Sequence, residues 1–349
     1  MSDLQPQFKK QYYPINDTFR NYLQKYKRLT KTRVFYDDLL RFQGSVVVYD
    51  RDDKDTLWTR VYYNEFEREE LDNSLKKIYT LLHSDGDESN FEYLNVDNID
   101  FCTFGNSKPF RVKVRNILND NYTHFYIKKA DASRVFGLEL EHIISPNRIN
   151  FLVFEDTLIE EHIVGIPGDI FLEKNLQNCS EHEKSQIAKE FVKFNERCMI
   201  GLLGDMRAYN FVVIPIFDFD QRIFKIRAID FDQQSYEGSF KLYKPHLFKE
   251  NFKFSDLVQK KLKPKSITQY QIEERSIIVK RLFDTKDRLE SLVEAMKSTK
   301  LAPDQHIAQL QEEIYQVTFD VNFRNANSMG EIVQAALRFM ERNYRFEDE

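Results

Sequence analysis

The residues best suited to chemistry stand in Gly204-Asp205-Met206-Arg207-Ala208-Tyr209-Asn210 and in Ile229-Asp230-Phe231-Asp232, with Asp230 twenty residues beyond Asn210. The first run has the spacing D-x-x-x-x-N, and the second ends a stretch of strand-forming residues. In this order the types suit phosphoryl transfer. One carboxylate accepts or orients the proton of an attacking hydroxyl, while an amide oxygen and a further carboxylate hold magnesium against a phosphate chain. Taken singly, such Asp and Asn residues cap helices and close turns; it is their order, in a loop between a helix and a strand, that favours chemistry.

Residues 181–199 have the period of a helix, with Ile187, Phe191, Phe194 and Cys198 on one face, and lead directly into Leu202-Leu203-Gly204-Asp205. Beyond the loop the sequence predicts a strand over 210–217, a turn at 218–221 and a strand over 223–229 that ends at Asp230. Such a helix, loop and hairpin would make the floor of a cleft. Upstream, 99–104, 110–118 and 122–129 read as consecutive strands. A helix over 133–144, with Asp131 or Ser133 as its cap, and two strands over 150–154 and 157–163 complete a β-β-β-α-β-β order. The N-terminal ninety residues read as a helical stretch over 16–43, a hairpin of strands 45–49 and 57–63, and a helix over about 65–83 whose Leu71, Leu75, Ile78 and Leu82 face a core. The polar patch 84–90 is the best boundary, and 265–344 is helical.

Composition agrees with a folded chain. The sequence of 349 residues is 42% hydrophobic and 31% charged, enough for two or three packed units and unlike a disordered protein. A net charge of −5 gives no sign of general nucleic-acid affinity. Cys102, Cys179 and Cys198 lack C-x-x-C spacing, which argues against a zinc site or a disulfide framework. No signal-peptide pattern opens the chain and no apolar run reaches the ~18 residues of a membrane span, so a soluble cytoplasmic protein is expected, with no membrane partner.

With these residues in this order, the chain resembles the protein-kinase-like phosphotransferase superfamily, most nearly its bacterial small-molecule and toxin-type kinase branches, over about residues 98–235. The resemblance implies an α+β, two-lobed protein-kinase-like fold. It would comprise an N-terminal accessory region (1–90), a small lobe (91–163) and a large lobe (164–349) with a helical C-terminal subdomain. It implies ATP and Mg²⁺ as cofactors, Asp205 as the catalytic carboxylate, Asn210 and Asp230 as magnesium ligands, and Asp232 as an assisting one. Lys128 matches the third-strand lysine that neutralises ATP phosphate, with Lys129 as the alternative. Glu139 on the following helix is expected to hold that lysine, with Glu141 as the alternative. Gly105, Ser107 and Lys108 lie where the family's glycine-rich loop covers the phosphates, although an ordinary hairpin turn explains them equally. The stretch from Glu160 to Asp169 resembles the hinge, where the backbone of Glu161 and Ile163 would bind adenine. Leu203 departs from the family, replacing a histidine that supports the loop. Asp232 stands in place of a glycine, which favours the small-molecule branches.

The expected reaction is therefore transfer of the ATP γ-phosphoryl group to a hydroxyl of a small molecule, with a protein acceptor as the alternative. Eight lysines between 241 and 265 suit an anionic acceptor, or are a solvated surface. A nucleotide-binding scaffold without catalysis, and nucleotidyl transfer on the same fold, stay open as rivals. Oligomeric state is not legible.

Overall fold

Alternation of apolar and polar residues makes the strands, and 3.6-residue periodicity makes the helices, of a mixed α+β chain that is 52% helix and 20% strand. The computed structural model describes residues 10–104, 107–219 and 221–344. In chain order α1 (Asp17–Lys25) and the single turn α2 (Tyr36–Leu39) precede a hairpin, β1 (Gly44–Tyr49) and β2 (Asp55–Tyr62), and then α3 (Glu65–His83). Three strands follow, β3 (Leu94–Cys102), β4 (Phe110–Asn116) and β5 (Tyr122–Lys129), then α4 (Ala132–Ile144) and a second hairpin, β6 (Phe151–Phe154) and β7 (Thr157–Glu161). The chain divides into two units. One comprises the N-terminal segment through Ile15, Leu23–Asp131 and Asn150–His162; the other comprises Asn16–Tyr22, Ala132–Ile149 and everything from Ile163 onward.

The first unit is built on a seven-stranded antiparallel sheet in the order β1-β2-β3-β4-β5-β7-β6. Phe110, Val112, Val114, Phe125 and Ile127 point to one face and form a core with Leu75, Ile78 and Leu82 of α3. Asn64 caps that helix by accepting from Glu67 N at 2.8 Å. The opposite face is polar and carries Arg111, His124, Tyr126, Lys128 and Glu160. The hairpin β1–β2 and α3, read from sequence as an accessory region, thus share the sheet and core of β3–β7. The helix expected over 16–43 is interrupted. Lys27 takes a left-handed φ of 57°, and the chain beyond it is drawn to the open edge of β6, where Thr30 N donates to Val153 O at 3.0 Å.

In the second unit a three-stranded sheet, ordered β10-β9-β8, is formed by β8 (Ile166–Pro167), β9 (Phe211–Asp218) and β10 (Gln221–Ala228). Around it lie the turn α5 (Gly168–Ile170), α6 (Glu181–Gly201), α7 (Phe252–Lys261), α8 (Pro264–Asp284), α9 (Lys286–Lys297), α10 (Asp304–Thr318), α11 (Val321–Arg324) and α12 (Met329–Asn343). A capping box starts α6, with Ser180 and Glu183 satisfying each other's backbone amides. Phe191 and Phe194 of α6 pack on Phe211 of β9 and Phe254 of α7, with ring centroids 5.0 to 6.4 Å apart. Among the described residues no helix is long and apolar enough to cross a membrane. All three cysteines are free thiols.

Candidate active site

The loop that carries Asp205 begins where α6 stops. Leu202 closes the helix with a left-handed φ of 51° and Asp205 adopts the same region at 55°. Outside glycine that conformation costs about 1–3 kcal/mol and persists only where the surroundings hold it. Backbone bonds hold it here: Gly204 N donates to Gln233 O at 3.2 Å, Asp205 N to Leu242 O at 3.1 Å, and Ser235 N to Leu202 O at 2.8 Å. A side chain on Gly204 would meet Gln233 O at 3.1 Å and the Tyr243 ring at 3.3 Å, so glycine is what the close approach requires. Leu203, in the position of the family's histidine, is buried and bridges to Gln234. Apolar burial and these bonds thus hold the loop where sequence had left its geometry in question.

The hairpin β9–β10 brings the other oxygen donors to the same end. Phe211 pairs with Ala228, and one step further Ile229 N donates to Asn210 O at 3.0 Å, so Asn210 and Asp230 flank the hairpin's open end. Asn210 Nδ2 donates to Asp205 O at 2.7 Å, tying the two sequence-predicted residues together. The Asp205 carboxylate accepts from Arg207 Nε at 2.7 Å, and Arg207 in turn reaches Glu250 at 3.2 Å. Burial raises the Asp205 pKa above the ordinary carboxylate value; Arg207 opposes this, and the charges of Asp230 and Glu250 add to it. A half-buried carboxylate whose charge is disfavoured, close to a second carboxylate, suits a group that takes up a proton.

Sequence reading missed Arg134. Its guanidinium, 1% exposed, donates from Nη1 to Asp230 Oδ1 at 2.8 Å and to Asp232 Oδ1 at 2.6 Å. The fold places it there through Gly137, one turn along α4, where a Cβ would lie 3.0 Å from the Cβ atoms of both Phe231 and Gln234. The glycine lets α4 lie against the 231–234 segment. A sequence signal existed: Arg134 is a cation in a helical stretch otherwise filled by Ala132, Val135, Phe136, Gly137 and Leu138.

The oxygen set fits magnesium by donor chemistry, since that ion takes one or two carboxylates and keeps several waters. Asn210 offers an amide oxygen. Asp230 is 37% exposed on its side chain, and Arg134 and Asp232 N engage only its Oδ1, so Oδ2 is the open donor among the described residues. Asp232 has Oδ1 against Arg134 and is 19% exposed. No group of three His, Cys, Asp or Glu side chains arranged for a metal occurs among the described residues.

The structure gives Lys128 and Glu139, expected to pair with each other, different partners. Lys128, on β5, makes its ion pair with Glu160 of β7, Nζ to Oε2 at 3.0 Å, with both side chains under 10% exposed. Glu139 instead receives Tyr22 Oη at 2.7 Å and Arg288 Nη2 at 2.6 Å. The reason is register. Tyr126 lies opposite Glu160 across the β5–β7 ladder, so Lys128, two residues on, shares its face and reaches the carboxylate diagonally. Glu141 takes Arg197 at 3.6 Å and Asn147 at 3.1 Å. Lys129 points to the other face, 3.9 Å from Asp156.

Gly105 lies outside the described residues. Ser107 and Lys108 follow it in a turn whose Lys108 carbonyl accepts from Tyr36 Oη at 2.8 Å, with the Lys108 side chain exposed. Glu161 pairs through its backbone with Asn150, and the stretch read as a hinge contains the last of several points, at Ile163, where the chain passes from one unit to the other. Of the lysine run, Lys260 pairs with Asp256 at 2.8 Å and Lys261 with Glu181.

No protein-family model matches this sequence, and comparison with curated proteins returns no match.

Proposed function

We propose that the protein is an ATP- and Mg²⁺-dependent phosphotransferase of protein-kinase-like architecture that transfers the γ-phosphoryl group to a hydroxyl, with a small molecule as the acceptor. The observation that supports this best is the grouping of Asp205, Asn210 and Asp230 at one end of β9–β10. There a strained, backbone-locked Asp carries a carboxylate whose Oδ1 accepts from Arg207 Nε at 2.7 Å and whose Oδ2 has only a long contact, 3.5 Å, from Asn210 Nδ2. A turn-capping Asp would have its carboxylate on backbone amides; this one keeps an oxygen for an incoming hydroxyl.

In this reading Asp205 orients the acceptor hydroxyl and takes its proton as the bond to phosphorus forms. Arg207, anchored by Glu250, keeps the carboxylate turned. Asn210 holds the loop through the Asp205 carbonyl, and its amide oxygen and Asp230 Oδ2 are the oxygens offered to the cation. Magnesium, when bound with ATP, supplies neutralisation of the phosphate charge.

The second reading is a nucleotide-binding scaffold without turnover, favoured by one observation: Arg134 sits on both Asp230 and Asp232 and already offsets one of their two negative charges. One titration separates the two. ATP binding measured by calorimetry with Mg²⁺ and with EDTA should show far tighter binding with the metal if the phosphotransferase reading holds. Equal affinity in the two buffers would favour the scaffold.

A further inference from the structure

The helices of the second unit line a half-open cavity of about 720 Å³ that none of the roles above uses. Cavities of roughly 300–1,000 Å³ hold small organic ligands. Its wall is largely apolar, with Met199, Leu202, Ile314, Val317, Phe323 and Phe339 among the lining residues. The charges on it are unbalanced. Lys244, Arg275 and Arg342 are cationic, whereas Glu196 is the one carboxylate in the lining. Glu196, almost wholly buried, is committed to Arg275 and Gln271, and Arg342 is paired with Asp320. Lys244 makes no ion pair among the described residues; its Nζ lies 4.3 Å from the centre of the Phe240 ring. Burial holds its pKa below the ordinary lysine value, with Glu313 opposing. A half-buried ammonium at the wall of an apolar chamber is stabilised by an anion brought in on an apolar body.

We propose that this cavity is a binding site for a small amphiphilic anion, an apolar chain or ring carrying one carboxylate, with Lys244 as the anion's partner and the Met199, Val317 and Phe339 walls around its apolar body. Leu202, whose left-handed backbone starts the Asp205 loop, belongs to the same wall.

The test uses the full-length protein with decanoate as probe, and decanol and decyltrimethylammonium as controls. Decanoate should raise the melting temperature saturably and slow amide exchange in α12 and at 199–203. Lys244→Met should weaken decanoate binding by about tenfold, the weight of one hydrogen bond to a charged group, and leave decanol nearly unchanged. Ala336→Phe, which fills the cavity from α12, should abolish binding of both. Should that variant fold poorly, the exchange pattern of the wild type decides the location alone. Absence of a saturable decanoate shift, equal binding of decyltrimethylammonium, or slowed exchange outside the cavity walls would overturn the proposal.

Discussion

Replacing Asp205 by Asn separates catalysis from folding, because the structure assigns the carboxylate little stabilising work. Its charged partner is Arg207, with Asn210 Nδ2 at a long 3.5 Å from the other oxygen, and with the Arg207 and Asp205 side chains 24% and 29% exposed such a pair contributes about 0–1 kcal/mol. Against this stands the raised pKa. A carboxylate whose folded pKa lies above its unfolded value binds more protons folded than unfolded. Its contribution is therefore absent below the unfolded value, and the loss of stability is complete above the folded one. At neutral pH the wild type carries that penalty and the Asn variant does not. Asn also tolerates the left-handed backbone that position 205 demands. The two effects oppose each other, and at roughly 2–4 °C per kcal/mol for domains of ~150–250 residues the melting temperature at pH 7 should rise or fall by no more than a few degrees. Any advantage of the variant should vanish as the pH drops below the ordinary Asp value. Phosphoryl transfer should fall by ~10²–10⁴, the usual weight of general base catalysis. Wild-type turnover should increase with pH through the raised Asp205 pKa, as the base form populates. The assay is transfer from γ-labelled ATP into the small-molecule and protein pools of a lysate, beside thermal melts at pH 7 and at acid pH. Wild-type transfer by the variant would refute the catalytic assignment. A loss of many degrees at pH 7 would show that the carboxylate is a structural cap.

Arg134→Met should leave Asp230 and Asp232 without their shared cation, lower the melting temperature in EDTA and make millimolar Mg²⁺ more stabilising than it is for the wild type; equal magnesium shifts in the two proteins would sink the assignment of these acids as metal ligands. Glu139→Leu should destabilise by about 2–4 kcal/mol in chemical denaturation, since it strands Arg288 and the Tyr22 hydroxyl, and adding Arg288→Leu should recover part of the loss. Strictly additive effects of the two substitutions would show that the pair is not coupled. Gly137→Ala should push α4 off the 231–234 segment and reduce Mg²⁺-dependent ATP binding together with stability; a variant matching wild type in both would mean that the 3.0 Å approach is relieved without moving Arg134.

What sequence made legible was local. The strand over 122–129 matches β5 at both ends, the helix over 65–83 is α3, and Asn210 and Asp230 come together at the open end of a hairpin made by the two strands expected around 210–217 and 223–229. Each of these follows from a period or a turn carried by neighbouring residues. The failures concern partners far apart in the chain. Glu160 holds Lys128 through sheet register, and Glu139 is taken by Arg288, 149 residues away; neither separation leaves a periodic trace. The helix expected over 16–43 failed for a related reason, since the open edge of β6 offers Leu29 and Thr30 a ladder that no local propensity registers.

Arg134 has a structural part that any metal site proposed at Asp230 must accommodate. A guanidinium 1% exposed must keep counter-charges, and Asp230 and Asp232 are the two acids that α4 and Gly137 bring to it. Its fork leaves Asp230 Oδ2 outside the pair, so a cation proposed there would meet an oxygen that Arg134 does not hold. The same arginine that could mark a silent scaffold thus also fixes the orientation of the carboxylate that a metal site needs. Under the proposed reading, Arg134→Met tightens magnesium binding whether or not Arg134 stays in place when the metal enters. If it stays, the positive charge opposes the ion and Arg134→Met tightens magnesium binding. If it leaves, the variant spares the cost of separating the pair and again tightens binding. Only a purely structural Arg134, with magnesium held elsewhere, leaves the affinity unchanged.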